Sequence, residues 1–277
     1  MEQSNHLYTA MADAFREEAF LRKLSRPREE AEALFGGLDW PALLAPLLPI
    51  QERIVCGRAL DAFRPVLERL APEPPEGWAL CAYQTAVSLL YPQADPARTP
   101  GQRDGALCFL QLLRTLFDAE REALPFDFWL DFAFCTEEEL RASAVAEDYR
   151  QFLRRWREEY VYELLRLGRE VTPFRTCAHI AGVHHVSMTV SRAFKAGGGK
   201  IDLGLISAAA AGHDIGKFGC KPGERVPYLH YYYTDQWFSW RGLGALGRIA
   251  ANHSVWDLEL ENLSSESLVL VYADFRV

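Results

Sequence analysis

Apolar residues recur at helical spacing through most of this 277-residue chain, and this periodicity restricts the fold more than any other feature. Typical segments are Met11 to Leu24, Trp78 to Tyr91 and Ala106 to Ala123. The run from Leu268 to Tyr272 is apolar enough for a strand, but its context favours a helix. Because no segment of the sequence alternates convincingly between apolar and polar residues, we predict an all-α protein.

A break late in the chain indicates two regions. A charged helix is predicted from about Ala144 to Glu170, and Val171-Thr172-Pro173 ends it. We place the boundary within this stretch. Residues 1–150 are then a helical region of unassigned function, and residues 151–277 are a second helical domain.

The composition is that of a globular protein and disfavours several other classes. Hydrophobic residues make up 49% of the chain and charged residues 25%, which is ordinary for a protein with a packed core. The six cysteines are scattered without a Cys-x-x-Cys pair, so we expect reduced thiols and a cytoplasmic location. No apolar run approaches the roughly 18 residues of a membrane span, and the amino terminus does not have the order of a signal peptide. The net charge of −8 disfavours general nucleic-acid or membrane binding, but not a small phosphorylated substrate.

The run Ser-Ala-Ala-Ala-Ala-Gly-His-Asp-Ile-Gly-Lys, from Ser207 to Lys217, has the most distinctive chemistry. Its small residues permit close approach of a neighbouring helix, which would bury the adjacent His213 and Asp214. Because adjacent residues cannot share one helix face, we expect the helix to end here, with Gly216 supplying the end. A buried imidazole beside a carboxylate needs a partner, and a metal ion provides one. We therefore favour metal binding over a polar helix end for this pair.

An earlier ligand is expected from the helix that contains two adjacent histidines, His184 and His185. His185 shares its face with small and apolar residues and is preferred, which leaves His184 to line the pocket, although the choice stays open. His179 lies off the face of His185. We expect it at the surface or in contact with a ligand, not on the metal itself.

Later candidates are Asp274, His230 and His253. Asp274 follows an apolar run, so its carboxylate needs either a metal ion or a nearby arginine. Each of the two histidines could instead be an ordinary half-buried side chain. With all of these groups engaged, two ions would share Asp214, and without the two histidines the site holds one. Donors without sulfur favour Fe, Mn, Co, Ni or Zn over Mg.

These motifs resemble those of the HD-domain superfamily of metal-dependent phosphohydrolases. The resemblance covers about the last third of the chain, from about Thr176 to Val277, and it is one of motifs. The motifs are His184-His185 in His-His-Val-Ser-Met-Thr-Val, His213-Asp214 in His-Asp-Ile-Gly-Lys, His230 in Tyr-Leu-His, His253 in Ala-Asn-His-Ser and Asp274 in Val-Tyr-Ala-Asp-Phe. The pattern is similar to that of bacterial diadenosine-tetraphosphate hydrolases. The Gly-Tyr-Pro signature of the cyclic-dinucleotide HD-GYP enzymes is absent from the sequence after His253.

The resemblance implies a C-terminal HD-type helical bundle that binds one or two divalent transition-metal ions. The implied ligands are His185, His213, Asp214, His230, His253 and Asp274. It also implies hydrolysis of a phosphoester or phosphoanhydride bond in a nucleotide-like small molecule, with Asp214 and Lys217 as catalytic residues. The family pattern has a further helix after Asp274, and whether the sequence is a fragment of a longer protein stays open.

Residues near these motifs are candidates for substrate binding. Lys221 and Arg225 could attract further phosphates, and Tyr231, in the aromatic cluster beside His230, could stack on a nucleobase. Spacing alone explains these cations and Lys217 equally well as solvated charges, and the tyrosine as part of the core. The competing hypothesis is a regulatory or scaffolding protein that binds metal or nucleotide without turnover. A nuclease acting on polymeric nucleic acid is disfavoured by the acidic balance.

Overall fold

The computed structural model describes residues 2–254 and 263–277, and all regular elements among them are helical. The prediction of an all-α protein is therefore confirmed for this part of the chain. Its α-helices are, in order, α1 Glu2–Ala14, α2 Glu18–Leu21, α3 Arg28–Gly36, α4 Trp40–Leu44, α5 Cys56–Leu70, α6 Trp78–Leu90, α7 Pro100–Ala123, α8 Glu137–Leu140, α9 Ala146–Glu158, α10 Val161–Val171, α11 Thr176–Ala196, α12 Leu203–Gly212, α13 Val226–Ser239, α14 Gly244–Ala251 and α15 Ser265–Arg276. Short 3-10 helices lie at Ala45–Leu47, Pro92–Ala94, Ile215–Gly219 and Asn252–Ser254. None of these described helices has the length and apolar character that a membrane crossing requires.

The chain forms two compact units, each assembled from two stretches of sequence. Unit 1 comprises Met1–Phe126 and Tyr160–Pro173, and unit 2 comprises Asp127–Glu159 and Phe174–Val277. This division differs from the predicted boundary at residue 150. The physical reason is that α10 packs against α5, α6 and α7 of unit 1, after α8 and α9 have already contributed to unit 2.

Helix α7 lies at the centre of unit 1. Its residues from Asp104 to Phe117 are all buried, and α1, α5, α6 and α10 pack against it. The carboxylate of Glu120 is fully buried and lies 2.7 Å from Arg166 Nη1 and 3.2 Å from Arg53 Nη1. This buried carboxylate is therefore paired, which avoids the cost of an isolated buried charge.

Helix α12 has the same central place in unit 2. Nine of its ten residues are buried, and α8, α9, α11, α14 and α15 pack around it. The alanines Ala208 to Ala211 permit this close packing. At Gly212 an added Cβ would lie 2.6 Å from the ring of Phe238, so only glycine fits there. Because the helix ends in the interior, the residues that follow it are also buried.

Two predicted helix boundaries differ from the structure. The charged helix predicted from Ala144 to Glu170 is divided into α9 and α10 by Tyr160, whose φ of 57° is left-handed. A non-glycine residue in that conformation cannot continue a right-handed helix. The segment from Met11 to Leu24 contains the end of α1 and the separate helix α2.

Candidate metal centre

The His-Asp doublet begins at the buried end of α12. His213 is the residue directly after the helix and is fully buried, and Asp214 is buried beside it. The sequence suggested that Gly216 ends the helix, but the structure differs. The helix ends at Gly212, and Gly216 belongs to the 3-10 turn Ile215–Gly219 that follows. The carbonyl end of a helix has partial negative charge, so this position favours a cation.

Three histidines direct the same ring nitrogen towards Asp214. Their Nδ1 atoms donate to backbone carbonyls: His213 to Ala210 O at 2.8 Å, His230 to Val226 O at 2.7 Å and His253 to Ala250 O at 2.6 Å. Each Nε2 therefore keeps its lone pair, which is the tautomer that a metal ligand needs. Two of these atoms, in His230 and His253, lie only 3.2 Å apart.

The two oxygens of Asp214 lie next to different sets of side chains. Oδ2 lies 3.3 Å from His179 Nε2 and 3.5 Å from His213 Nε2, and it also contacts the Lys217 ammonium. Oδ1 lies 3.6 Å from His230 Nε2 and 3.9 Å from His253 Nε2. Asp214 is therefore placed to bridge two neighbouring positions.

Asp274 completes the first set. It lies near the end of α15, and its Oδ1 is 3.1 Å from His179 Nε2 and 3.6 Å from His213 Nε2. The carboxylate has these histidines as partners, not the arginine considered as the alternative. Predicted ligands on α12, α13, α14 and α15 thus meet in one place.

The early ligand differs from the prediction. His179 Nε2, in the second turn of α11, occupies the place expected for His185. The ring of His185 instead lies 5.1 Å from that of Phe128. The two positions are six residues apart, which is about 240° around a helix and about 9 Å along it, so they cannot reach the same centre.

His184 is also not part of this centre. It is fully buried, its Nε2 is 2.9 Å from Ser207 Oγ, and its ring lies 5.4 Å from Phe132 and 5.2 Å from Phe134. Burial lowers its pKa to about 3, so the ring is neutral. The expectation that His184 lines the substrate pocket is therefore wrong in this structure, because its face of α11 packs into the core.

The electrostatic surroundings give most of these groups the charge state that a metal ligand needs. Burial raises the pKa of Asp214, but His213, His179 and Lys217 outweigh it and hold that pKa well below its usual range. Burial also raises the pKa of Asp274, but the nearby His179 and His213 outweigh this effect and lower it. Burial lowers the pKa of His253 to about 3 and also lowers that of His230. Two carboxylates and two neutral imidazoles are thus present at neutral pH.

His179 is the exception. Burial lowers its pKa, but hydrogen bonds to Asp214 and Asp274 outweigh this and raise the pKa to about 9. An ion that binds here must displace the proton that His179 carries at neutral pH.

The predicted substrate contacts occupy different surroundings. Tyr231 packs on the centre, with its ring centroid 3.9 Å from that of His230 and 5.2 Å from that of His253. Lys217 is partly exposed beside Asp214. Lys221 and Arg225 are exposed in the segment that joins the 3-10 turn to α13, and their role as phosphate contacts stays a prediction.

The donor atoms fit a transition-metal centre. In the described part of the chain, two groups of ligand-type residues have atoms within 4.8 Å of one another: His179, His213 and Asp274, and His213, Asp214 and His253. Ions of this class bind imidazole and carboxylate at about 2.0–2.2 Å, which places neighbouring donors about 3 Å apart. Separations of 3.1 to 3.6 Å around His179 and His213 are close to that spacing.

Comparisons with protein-family models, with curated proteins and with solved structures found no match for this chain.

Proposed function

We propose that unit 2 is an HD-type metal-dependent phosphohydrolase domain. It binds one or two divalent transition-metal ions, from Fe, Mn, Co, Ni or Zn, and hydrolyses a phosphoester or phosphoanhydride bond of a nucleotide-like small molecule. The ligands are His179, His213, Asp214 and Asp274 for one ion, and Asp214, His230 and His253 for the other. His179 replaces His185 in the set that the resemblance implied.

One observation supports this proposal above all others. Imidazole Nε2 atoms from four helices or their ends converge on the two oxygens of one buried carboxylate, Asp214. For three of them, a backbone carbonyl holds the other ring nitrogen. Lys217 and His179 place positive charge at Oδ2, but at Oδ1 the lone pairs of His230 and His253 and the negative charge lie together in a buried place, at considerable cost without a bound ion.

The surrounding residues suit phosphoryl chemistry. A bound divalent ion supplies Lewis-acid activation of a water molecule and of the phosphoryl group. Asp214 holds both ligand sets at one carboxylate. Lys217 lies beside its Oδ2 and is partly exposed, so its ammonium can donate to a phosphate oxygen as negative charge develops.

The nucleotide part of the proposal depends on Tyr231. Its ring packs against two ligand histidines and is half-buried, so one part of it remains available to a base. In the aromatic cluster, Tyr233 and Trp237 are buried and serve the core, whereas Tyr228 and Tyr232 are exposed. Lys221 and Arg225 would add positive charge for further phosphates.

The test combines metal analysis with a phosphate-release screen. The purified protein is loaded with each metal and assayed against nucleoside phosphates and dinucleoside polyphosphates. We expect bound metal and turnover of at least one compound. Asp214→Asn should lose both, whereas Lys217→Gln should keep its metal and lose about 10²–10³-fold in kcat.

The outcomes separate the proposal from its alternative. Metal binding together with nucleotide-dependent thermal stabilisation, but no turnover of any compound, would favour the non-catalytic regulatory or scaffolding function. A protein that takes up none of the metals after chelation and reloading, and that no nucleotide stabilises, would contradict both.

A further inference from the structure

The hydroxyl group of Thr234, on α13, bonds to the backbone on both sides of Asp214. The side chain is fully buried. Its Oγ1 donates to His213 O at 2.9 Å and accepts from the Gly216 N–H at 3.1 Å. A single side chain of α13 thus holds the two peptide groups that enclose the bridging carboxylate.

Gly216 brings these two stretches of backbone together. An added Cβ would lie 1.8 Å from His230 O, 2.5 Å from Thr234 N and 2.6 Å from Thr234 Oγ1. No side chain fits in that space. The 3-10 turn Ile215–Gly219 therefore lies directly on the turn of α13 between His230 and Thr234.

His230 is fixed by the same contact. It precedes Thr234 by four residues, so both lie on one face of α13. Its Nε2 lies 3.6 Å from Asp214 Oδ1. A shift of this turn of α13 would change that distance directly. In contrast, His179 and Asp274 approach Asp214 and His213 from α11 and α15, and the Thr234 hydroxyl bonds to neither of these two helices.

We infer that Thr234 is a positioning residue that fixes the separation between the two ligand sets. Its hydroxyl matters mainly for the ion held by Asp214 Oδ1, His230 and His253. The ion held by His179, His213, Asp214 and Asp274 depends on it less, because His179 and Asp274 lie on helices to which Thr234 does not bond. Without the hydroxyl, a buried carbonyl and a buried N–H lose their partner, and the turn of α13 moves to relieve this. The inference rests on the proposed function, since it requires a metal centre.

Variants at this position can isolate the hydroxyl. Thr234→Ser keeps it, and Thr234→Ala differs from that variant by one oxygen atom. Thr234→Val keeps the shape of threonine and removes both hydrogen bonds. If one of the two latter variants does not fold, the other provides the same comparison.

The measurement uses Mn²⁺ alone, added to the chelated full-length protein. Wild type and Thr234→Ser should bind two ions and give the exchange-coupled EPR signal of ions that share a carboxylate. In Thr234→Ala and Thr234→Val the first ion should bind within about threefold of wild type. The second should bind about 10–100-fold more weakly, and the coupled signal should be lost.

Ser207→Ala is the matched control. Ser207 is buried on α12, and its Oγ lies 2.9 Å from His184 Nε2 and 3.0 Å from Tyr149 Oη. This variant also removes two buried hydrogen bonds from unit 2, but none that touches the doublet. It should lower the melting temperature and retain both ions.

Three results would overturn the inference. The first is that Thr234→Ala binds the second ion with wild-type affinity and keeps the coupled signal. The second is that Ser207→Ala loses as much affinity for the second ion as Thr234→Ala does. The third is that wild type binds only a single ion. If wild type binds no ion, the proposed function itself fails. If wild type and Thr234→Ala both bind two ions, only the role of Thr234 fails.

Discussion

At the scale of single residues, His179 distinguishes the structure from the motif pattern. Its Nε2 lies 3.3 Å from Asp214 and 3.1 Å from Asp274, whereas the adjacent pair His184-His185 lies elsewhere on α11. Helix α11 therefore contains the candidate ligand His179 and also two histidines, His184 and His185, that can serve as controls.

His179→Gln should abolish binding at the first position, because glutamine cannot provide the imidazole nitrogen that faces the two carboxylates. His185→Gln should leave metal affinity and stoichiometry unchanged. Metal content after gel filtration and calorimetric titration with Co²⁺ measure both. If His185→Gln loses the metal and His179→Gln keeps it, the assignment of the early ligand is wrong.

Metal affinity should depend on pH through His179. Its pKa of about 9 means that an ion must displace one proton at neutral pH. Apparent affinity should therefore rise about tenfold per pH unit from pH 7 to 9 and level off above this range. His253 and His230 add nothing over that range, because their lowered pKa values leave both rings already neutral.

Competition titrations with a chelator of known pH dependence measure this slope. An affinity that does not change between pH 7 and 9 would contradict the charge state assigned to His179.

The sequence was sufficient to predict five of the side chains that converge on the candidate centre, but not His179. Each of the five either follows small or apolar residues near a helix end or is a polar residue on a helix that the sequence indicates. They are His213, Asp214, His230, His253 and Asp274. His179 depends on the register of α11 against α12. These helices run antiparallel, with His179 next to His213 and His184 next to Ser207. The prediction chose His185 from the residues on its own helix face, and these do not show which turn of α11 lies beside His213.

At the scale of helices, α12 and α15 are tied together at one end and share the metal centre at the other. The Asp202 N–H, just before α12, donates to Glu266 Oε1 on α15 at 2.7 Å. Asp202 also caps α12 through Leu205 N at 3.1 Å. The bond between Asp202 and Glu266 sets how far α15 lies along α12, and it thereby sets the position of Asp274.

Glu266→Ala should weaken the first ion about tenfold, because α15 can then slide and Asp274 leaves its position. Glu266→Gln, which keeps a carbonyl acceptor, should bind nearly as wild type. The control is Ser264→Ala, which removes the cap of the same helix end, where Ser264 Oγ accepts from Ser267 N at 3.2 Å. It should cost about 1 kcal/mol of stability with little change in affinity.

Isothermal titration with Mn²⁺ and thermal denaturation compare the three variants. Equal losses of affinity in Glu266→Ala and Ser264→Ala would show that general loosening of α15, and not its register, matters.

Helix boundaries show where local signals were sufficient. The apolar segment from Trp78 to Tyr91 is confirmed by α6, which ends at Leu90. α7 begins at Pro100 instead of Ala106, because Thr99 and Gln102 form a capping box before the apolar part of the helix. The break at Tyr160 has no comparable signal, since the sequence around it is periodic and charged.

At the scale of the whole molecule, the candidate metal centre belongs to unit 2. Both groups of ligand-type residues found in the described chain lie in it. A single boundary in the sequence could not predict units that are each made of two stretches. α10 belongs to unit 1 because of the helices against which its apolar face packs, and the sequence does not show which helices these are. The all-α class could be predicted, since it depends only on the period of the apolar residues.

The most direct test of the central claim is anomalous X-ray diffraction from crystals grown with Mn²⁺. We predict a peak about 2.0–2.3 Å from His179 Nε2, His213 Nε2 and the carboxylates of Asp214 and Asp274. A second peak is predicted between Asp214 Oδ1, His230 and His253, about 3.5–4 Å from the first. Well-ordered side chains in the positions described, with no anomalous signal among them, would contradict the assignment of a metal centre.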